Sequence, residues 1–185
     1  MKKIFFLTLL TFSISAHAGI FELGASANYR HESYDENNFI TSNSHTISLA
    51  YYFMEMSAIE LSYTTGLVTQ TTLAPLQEKE TIYTRTEISG LDFILSFAGR
   101  RAVFQPYIKA GGAYVKKEKF FETASVGTLS LNGGEGLVPS AGIGFKIRLT
   151  QSLLLKLGAD AWNNPIDKQS NQWDYVGKVG LSWYL

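Results

Sequence analysis

Eight segments of this sequence alternate residue by residue between two kinds of side chain, and formal charge falls on only one kind. In residues 21–30, Phe21, Leu23, Ala25, Ala27 and Tyr29 share one face, while Glu22, Gly24, Ser26, Asn28 and Arg30 share the other. Successive side chains of a strand point to opposite sides, so a period of two is β periodicity. The pattern recurs in residues 45–53, 59–67, 90–97, 106–114, 137–149, 153–162 and 175–185. Eight strands of this kind predict an all-β chain.

The distribution of charge decides what lies on each side of the sheet. Glu22, Glu60, Asp92, Lys109, Lys146, Arg148, Lys156, Asp160 and Lys178 all fall on the face that carries the glycines and serines. The opposite face is aliphatic and aromatic throughout the eight segments. A water-soluble barrel also alternates, but turns its bulky apolar face inward. Here that arrangement would leave a glycine- and alanine-rich wall facing water. The inverse places grease in lipid and ions on the axis. It obeys the rule that a basic residue on the lipid face costs about 2–4 kcal/mol at the midplane. The expected fold is therefore an eight-stranded antiparallel up-and-down transmembrane β-barrel, whose interior is just wide enough for side chains to fill.

The connections follow the same scheme. Residues 54–58, 98–103 and 150–152 make short turns, whereas residues 32–43, 73–80, 118–135 and 163–171 make longer polar loops. Short turns on one side and long loops on the other describe a bacterial outer-membrane barrel, with its turns in the periplasm. Tyr29, Tyr63, Tyr83, Tyr114, Tyr175 and Trp183 lie near strand ends, where interfacial aromatic girdles form. Open sheet edges are not tolerated in lipid, so the last strand is expected to pair with the first.

The N-terminal residues read as an export signal. Lys2 and Lys3 precede the apolar run 4–12, and Ala16-His17-Ala18 supplies a small-x-small cleavage pattern. The predicted division is a signal peptide over 1–18 and a barrel domain over 19–185. Composition removes several function classes. The chain has no cysteine, which excludes disulfides, thiolate metal sites and thiol nucleophiles. Sixteen basic and sixteen acidic residues give zero formal charge, which argues against a nucleic-acid partner. No cofactor is expected.

Two stretches carry a resemblance. "FQPYIKAGGAY" resembles the fifth-strand pattern of the small eight-stranded outer-membrane barrels of the OmpA-transmembrane-domain and OmpX/Ail type. "SAGIGFKIRLTQSLLLKLGADAW" resembles their glycine-rich strand, tight turn and returning strand. Lys178, Gly180, Trp183 and Leu185 resemble the C-terminal insertion signal of such barrels, with leucine where an aromatic is usual. The resemblance implies membrane lipid and lipopolysaccharide as surroundings, the barrel-assembly machinery and periplasmic chaperones as partners in biogenesis, and an extracellular protein or glycan as a ligand of the loops. It is specific for architecture and says little about function.

The functional expectation is a non-enzymatic surface scaffold whose lumen is plugged by ion pairs among the nine inward charges. Two alternatives compete with it. A narrow gated pore would favour anions, because bases outnumber acids among those nine. A lipid A-modifying enzyme would need a serine, a histidine and a carboxylate within hydrogen-bond reach. His31, Ser33, Ser42 and His45, with Asp35 or Glu36, are the cluster that could supply them.

Overall fold

In the computed structural model, the described residues are 21–35, 38–73, 79–123, 127–165 and 173–185. The predicted signal peptide therefore lies outside the described residues. The eight strands are β1 (Phe21–Ser33), β2 (Phe39–Tyr52), β3 (Ser57–Leu73), β4 (Lys79–Ser96), β5 (Phe104–Thr123), β6 (Gly127–Arg148), β7 (Leu153–Asn163) and β8 (Trp173–Tyr184). Each pairs antiparallel with its sequence neighbours, and β8 returns to β1 to close the barrel. The closing ladder runs from Glu22 opposite Tyr184 to Ala27 opposite Val179. Leu185 adds one more bond at the base, donating its backbone N–H to the Phe21 carbonyl at 2.9 Å.

The outer wall carries the apolar face. Ile47, Leu61, Leu91, Ile143 and Val179 are each more than half exposed. Aromatic pairs ring the base of this belt, with centroid separations of 5.2 Å for Phe21–Tyr51, 6.0 Å for Phe53–Phe93 and 5.3 Å for Phe104–Phe145. Trp183 joins them, opposite Leu23 and Leu153. Tyr29, Tyr63, Tyr114 and Tyr175 also face outward, at the upper margin. Just above them the outward positions turn polar or charged, at His31, Thr65, Lys116 and Asn163.

The strands outrun their predicted limits. A transmembrane strand needs about 9–11 residues. β7 and β8 have 11 and 12, but β4, β5 and β6 have 18, 20 and 22. The segment 118–135, predicted as a loop, is mostly ladder, with Phe120 opposite Ser130 and Phe121 opposite Leu129. A bulge between Lys117 and Lys119 bends this hairpin, and Gly127 (φ 76°) supplies the left-handed residue that begins its return. Alternation continues there without lipid to enforce it, because backbone pairing alone sustains the strands. The extracellular rim is consequently tall along β3–β6 and low at β7, β8 and β1.

Candidate functional site

Four acids and four lysines from seven strands meet inside the lower barrel. Lys146 of β6 reaches across to Glu22 of β1 at 2.6 Å. Lys156 of β7 meets the other glutamate, Glu60 of β3, at 2.6 Å. Lys109 of β5 is the hub, 3.1 Å from Glu60, 3.3 Å from Asp92 and 3.1 Å from Asp160. Lys178 of β8 closes the lattice on Asp160 at 2.8 Å. Glu22, Glu60, Asp92, Lys109 and Lys146 are buried. Taking one ion out of water costs several kcal/mol, so such groups persist only when paired and hydrogen-bonded.

Neutral groups complete the lattice. The Tyr52 hydroxyl donates to Glu22, and the Lys146 ammonium donates to the same hydroxyl at 2.6 Å. Ser140 donates to Asp92 at 2.6 Å. The Tyr107 ring lies beneath two ammonium groups, 5.5 Å from Lys146 and 5.6 Å from Lys156, within cation–π range. Glycine makes room for that ring. A Cβ at Gly144 would stand 2.6 Å from the Tyr107 hydroxyl, and one at Gly158 would stand 2.7 Å from it. Gly142 does the same for the hub, since a Cβ there would come within 2.8 Å of Lys109 Cε. Two cavities at this level hold about 20 Å³ each, room for roughly one water apiece.

Arg148 stands apart from the other eight predicted charges. It lies below the lattice, donating to the Gln151 carbonyl at 2.9 Å and to the Arg100 carbonyl, and stacks over the Tyr184 ring. Gln105 binds the same turn, donating to the carbonyls of Arg100 and Ala102 at 2.9 Å. Arg148 thus fastens the periplasmic turn 97–103 across the barrel mouth. Without it the lattice holds equal numbers of acids and bases.

Tyr52, Tyr107 and Gln105 were not among the predicted site residues. They carry no charge, but each sits on the small-residue face, and that position was the available signal. Of the C-terminal set, Lys178 points inward, whereas Trp183 points outward. Gly180 allows β8 to approach β1, since a Cβ there would lie 2.5 Å from Ser26 Cβ. The serine and histidine cluster is dispersed over the first hairpin. His31 Nδ1 meets Thr41 Oγ1 at 3.1 Å, and His45 stands opposite Ala27 and Thr65 on the outer wall. Glu36 lies outside the described residues.

Above the lattice the lumen opens. A cavity of about 520 Å³ spans the upper barrel, with Ser44, Thr64, Ile88 and Trp162 at its base. One further ion pair, Lys117–Asp174, crosses its wall.

A closed sheet with an apolar exterior, two aromatic margins and its ions on the axis defines a transmembrane barrel. The fold is that of the small eight-stranded outer-membrane barrels. Among solved structures, the N-terminal β-barrel domain of Pseudomonas aeruginosa OprF is similar at 14% identity and TM-score 0.60, over 91% of this chain and 100% of that one. OprG of the same organism is similar at 13% identity and TM-score 0.60, over 91% and 96% of the two chains. Neisserial surface protein A is similar at 14% identity and TM-score 0.54, over 92% and 100%. No family model matches the sequence, and no curated protein matches it.

Proposed function

We propose that this protein is a non-conducting outer-membrane scaffold that presents its tall β3–β6 rim to an extracellular protein or glycan. The carrying observation is the contrast in what the strands are built to do. The lower lumen is occupied by an ion lattice with cavities of about 20 Å³, while β4–β6 extend to 18–22 residues. Strand beyond the roughly 9–11 residues needed to span adds nothing to crossing the membrane. It does supply a rigid platform from which loops can recognise a partner. A mobile hairpin would lose more conformational freedom on binding than a paired one.

The test replaces residues 119–131 with a tight turn and measures adhesion of expressing cells to arrays of matrix proteins and glycans. The shortened barrel is expected to keep the altered electrophoretic mobility of a folded barrel and to lose adhesion. Unchanged adhesion by the shortened form would remove this reading. Planar-bilayer recordings of the intact protein address the pore alternative: discrete, reproducible conductance steps would contradict a closed lumen.

A further inference from the structure

We infer that the free edge of β6 above the membrane takes an extended segment of an extracellular protein as an added β-strand, centred on residues 127–131. The inference rests on the proposed recognition rim and names the partner's form: backbone in strand conformation, with apolar side chains at every second position.

The edge arises because the two ladders of β6 are unequal. On one side β6 pairs with β5 from Phe104–Ile147 up to Thr123–Gly127. On the other it pairs with β7 only from Arg148–Leu154 to Ser140–Trp162. Among the described residues, no strand pairs with 127–139 on that side. Leu137 stands opposite Tyr114 of the outer aromatic margin, and Leu131 lies about 20 Å farther along the strand, clear of the lipid.

A strand edge is a row of unpaired N–H and C=O groups, and folded proteins guard such rows with proline, charge or bulges. The lower part of this edge is guarded. Pro139 sits where the pairing with β7 ends, Glu135 adds a charge, and the bulge opposite Lys117–Lys119 twists the ladder. The run Gly127–Leu131 carries no proline, no charge and no bulge.

The hydrogen-bond pattern fixes which groups of that run are free. Arg148 of β6 donates to the carbonyl of Val103, just before β5, and Phe97, just after β4, donates to the carbonyl of Pro106, both at 2.8 Å. Odd-numbered residues of β5 therefore turn their backbone to β6, and even-numbered ones turn theirs to β4. The β4–β5 register is unbroken up to Thr123, so Lys119 and Phe121 bond to Leu131 and Leu129. Thr128 and Ser130 are left with their N–H and C=O on the open side. Side chains add contact. Leu129 and Leu131 are 47% and 42% exposed. Leu129 continues an apolar row with Phe121 and Ile82 over three strands. A strand added beside Thr128 and Ser130 would bond to both and lay an apolar residue against Leu129, extending that row to a fourth strand. A donor and acceptor recurring at every second residue match another backbone, which makes the partner a protein and not a glycan.

The test uses the folded barrel in phospholipid nanodiscs and a fluorescein-labelled peptide of alternating threonine and valine with a lysine at each end, read by fluorescence anisotropy. Saturable binding is expected. In the added strand the threonines stand opposite Thr128 and Ser130 and aim their N–H groups at β6, while the valines pack toward Leu129 and aim theirs away. N-methylation of the threonines should therefore weaken binding about tenfold, and N-methylation of the valines should not. Ser130→Pro removes an N–H from the open side and spares the ladder to β5. It should weaken the peptide by about the same factor, whereas Ser130→Ala should leave it unchanged. If Ser130→Pro fails to fold, the contrast between the two methylated peptides decides. Absence of saturable binding, or binding indifferent to which residues are methylated, would overturn the inference. So would concentration-dependent pairing of the barrel with itself that Ser130→Pro abolishes, since the edge would then belong to a second copy. Cell adhesion that survives Ser130→Pro but is lost when residues 119–131 are replaced would contradict the added strand and leave the recognition rim standing.

Discussion

The lower and upper halves of the lumen are lined by the same eight strands yet solve opposite problems. Below, every lattice carboxylate has an ammonium within 3.3 Å, and the tyrosine hydroxyl between Glu22 and Lys146 is used twice. Above, a cavity of about 520 Å³ remains, and the donors of Ser44 and Trp162 have no partner. The difference lies in closure. Where β1 and β8 pair, opposite walls are near enough for side chains to meet. Where they part, apolar residues such as Ile40, Val68 and Val176 share the lining with the pairs Arg30–Glu32 and Lys117–Asp174. An eight-stranded barrel is therefore not uniformly full; its packing follows its seam.

The largest effect should come from the hub. Lys109→Met keeps the volume but leaves Glu60, Asp92 and Asp160 facing one another with one cation fewer. Removing one partner of a buried pair costs about 3–5 kcal/mol. Unfolding of the barrel by urea in lipid vesicles should show a loss of that size. A loss below 1 kcal/mol would mean that water screens the lattice and that the halves differ less than their geometry suggests.

Next comes shape. A Cβ at Gly144 would stand 2.4 Å from the Leu157 carbonyl as well as 2.6 Å from the Tyr107 hydroxyl, so Gly144→Val crowds both the β7 backbone and the ring, and overpacking of this kind costs about 1–3 kcal/mol. The same urea titration reads it, and Tyr107→Leu should recover part of the loss in the double variant. Tyr52→Phe follows, at about 1–3 kcal/mol, because Glu22 loses a donor and Lys146 an acceptor while both stay buried. The smallest effect sharpens the contrast. Ser44→Ala in the upper half removes a buried hydroxyl without a partner, so stability should be unchanged or slightly raised, not lowered. If Ser44→Ala cost as much as Tyr52→Phe, the upper half would be as tightly satisfied as the lower.

Much of this architecture was legible before any coordinates. Period two located all eight strands, and the confinement of charge to the glycine face gave their orientation. The upper strand limits were not legible, because above the membrane the outward face is free to be polar. In β4, Arg85 and Glu87 occupy outward positions that Leu91 and Phe93 occupy below. Eight of the nine predicted charges share one lattice, since face alone selects them. Which charge meets which was hidden, because Glu22 and Lys146 stand 124 residues apart and meet only through the stagger of strands around the wall. Arg148 shares the face but sits too low, and one residue of height along a strand is not readable from alternation. The upper cavity was invisible for a related reason: it arises where a ladder stops, and residues 173–178 alternate as regularly as any paired strand.

Both halves of the comparison require that the apolar face meets acyl chains. Nitroxide labels at Leu91→Cys and Ile143→Cys, in a chain that has no native cysteine, test this directly in reconstituted bilayers. These positions are 55% and 63% exposed on the outer wall. Power saturation should show high collision rates with oxygen and low rates with a water-soluble nickel chelate at both sites. Preferential collision with the nickel chelate would place these residues in water and contradict the barrel's orientation, and with it the distinction between its two halves.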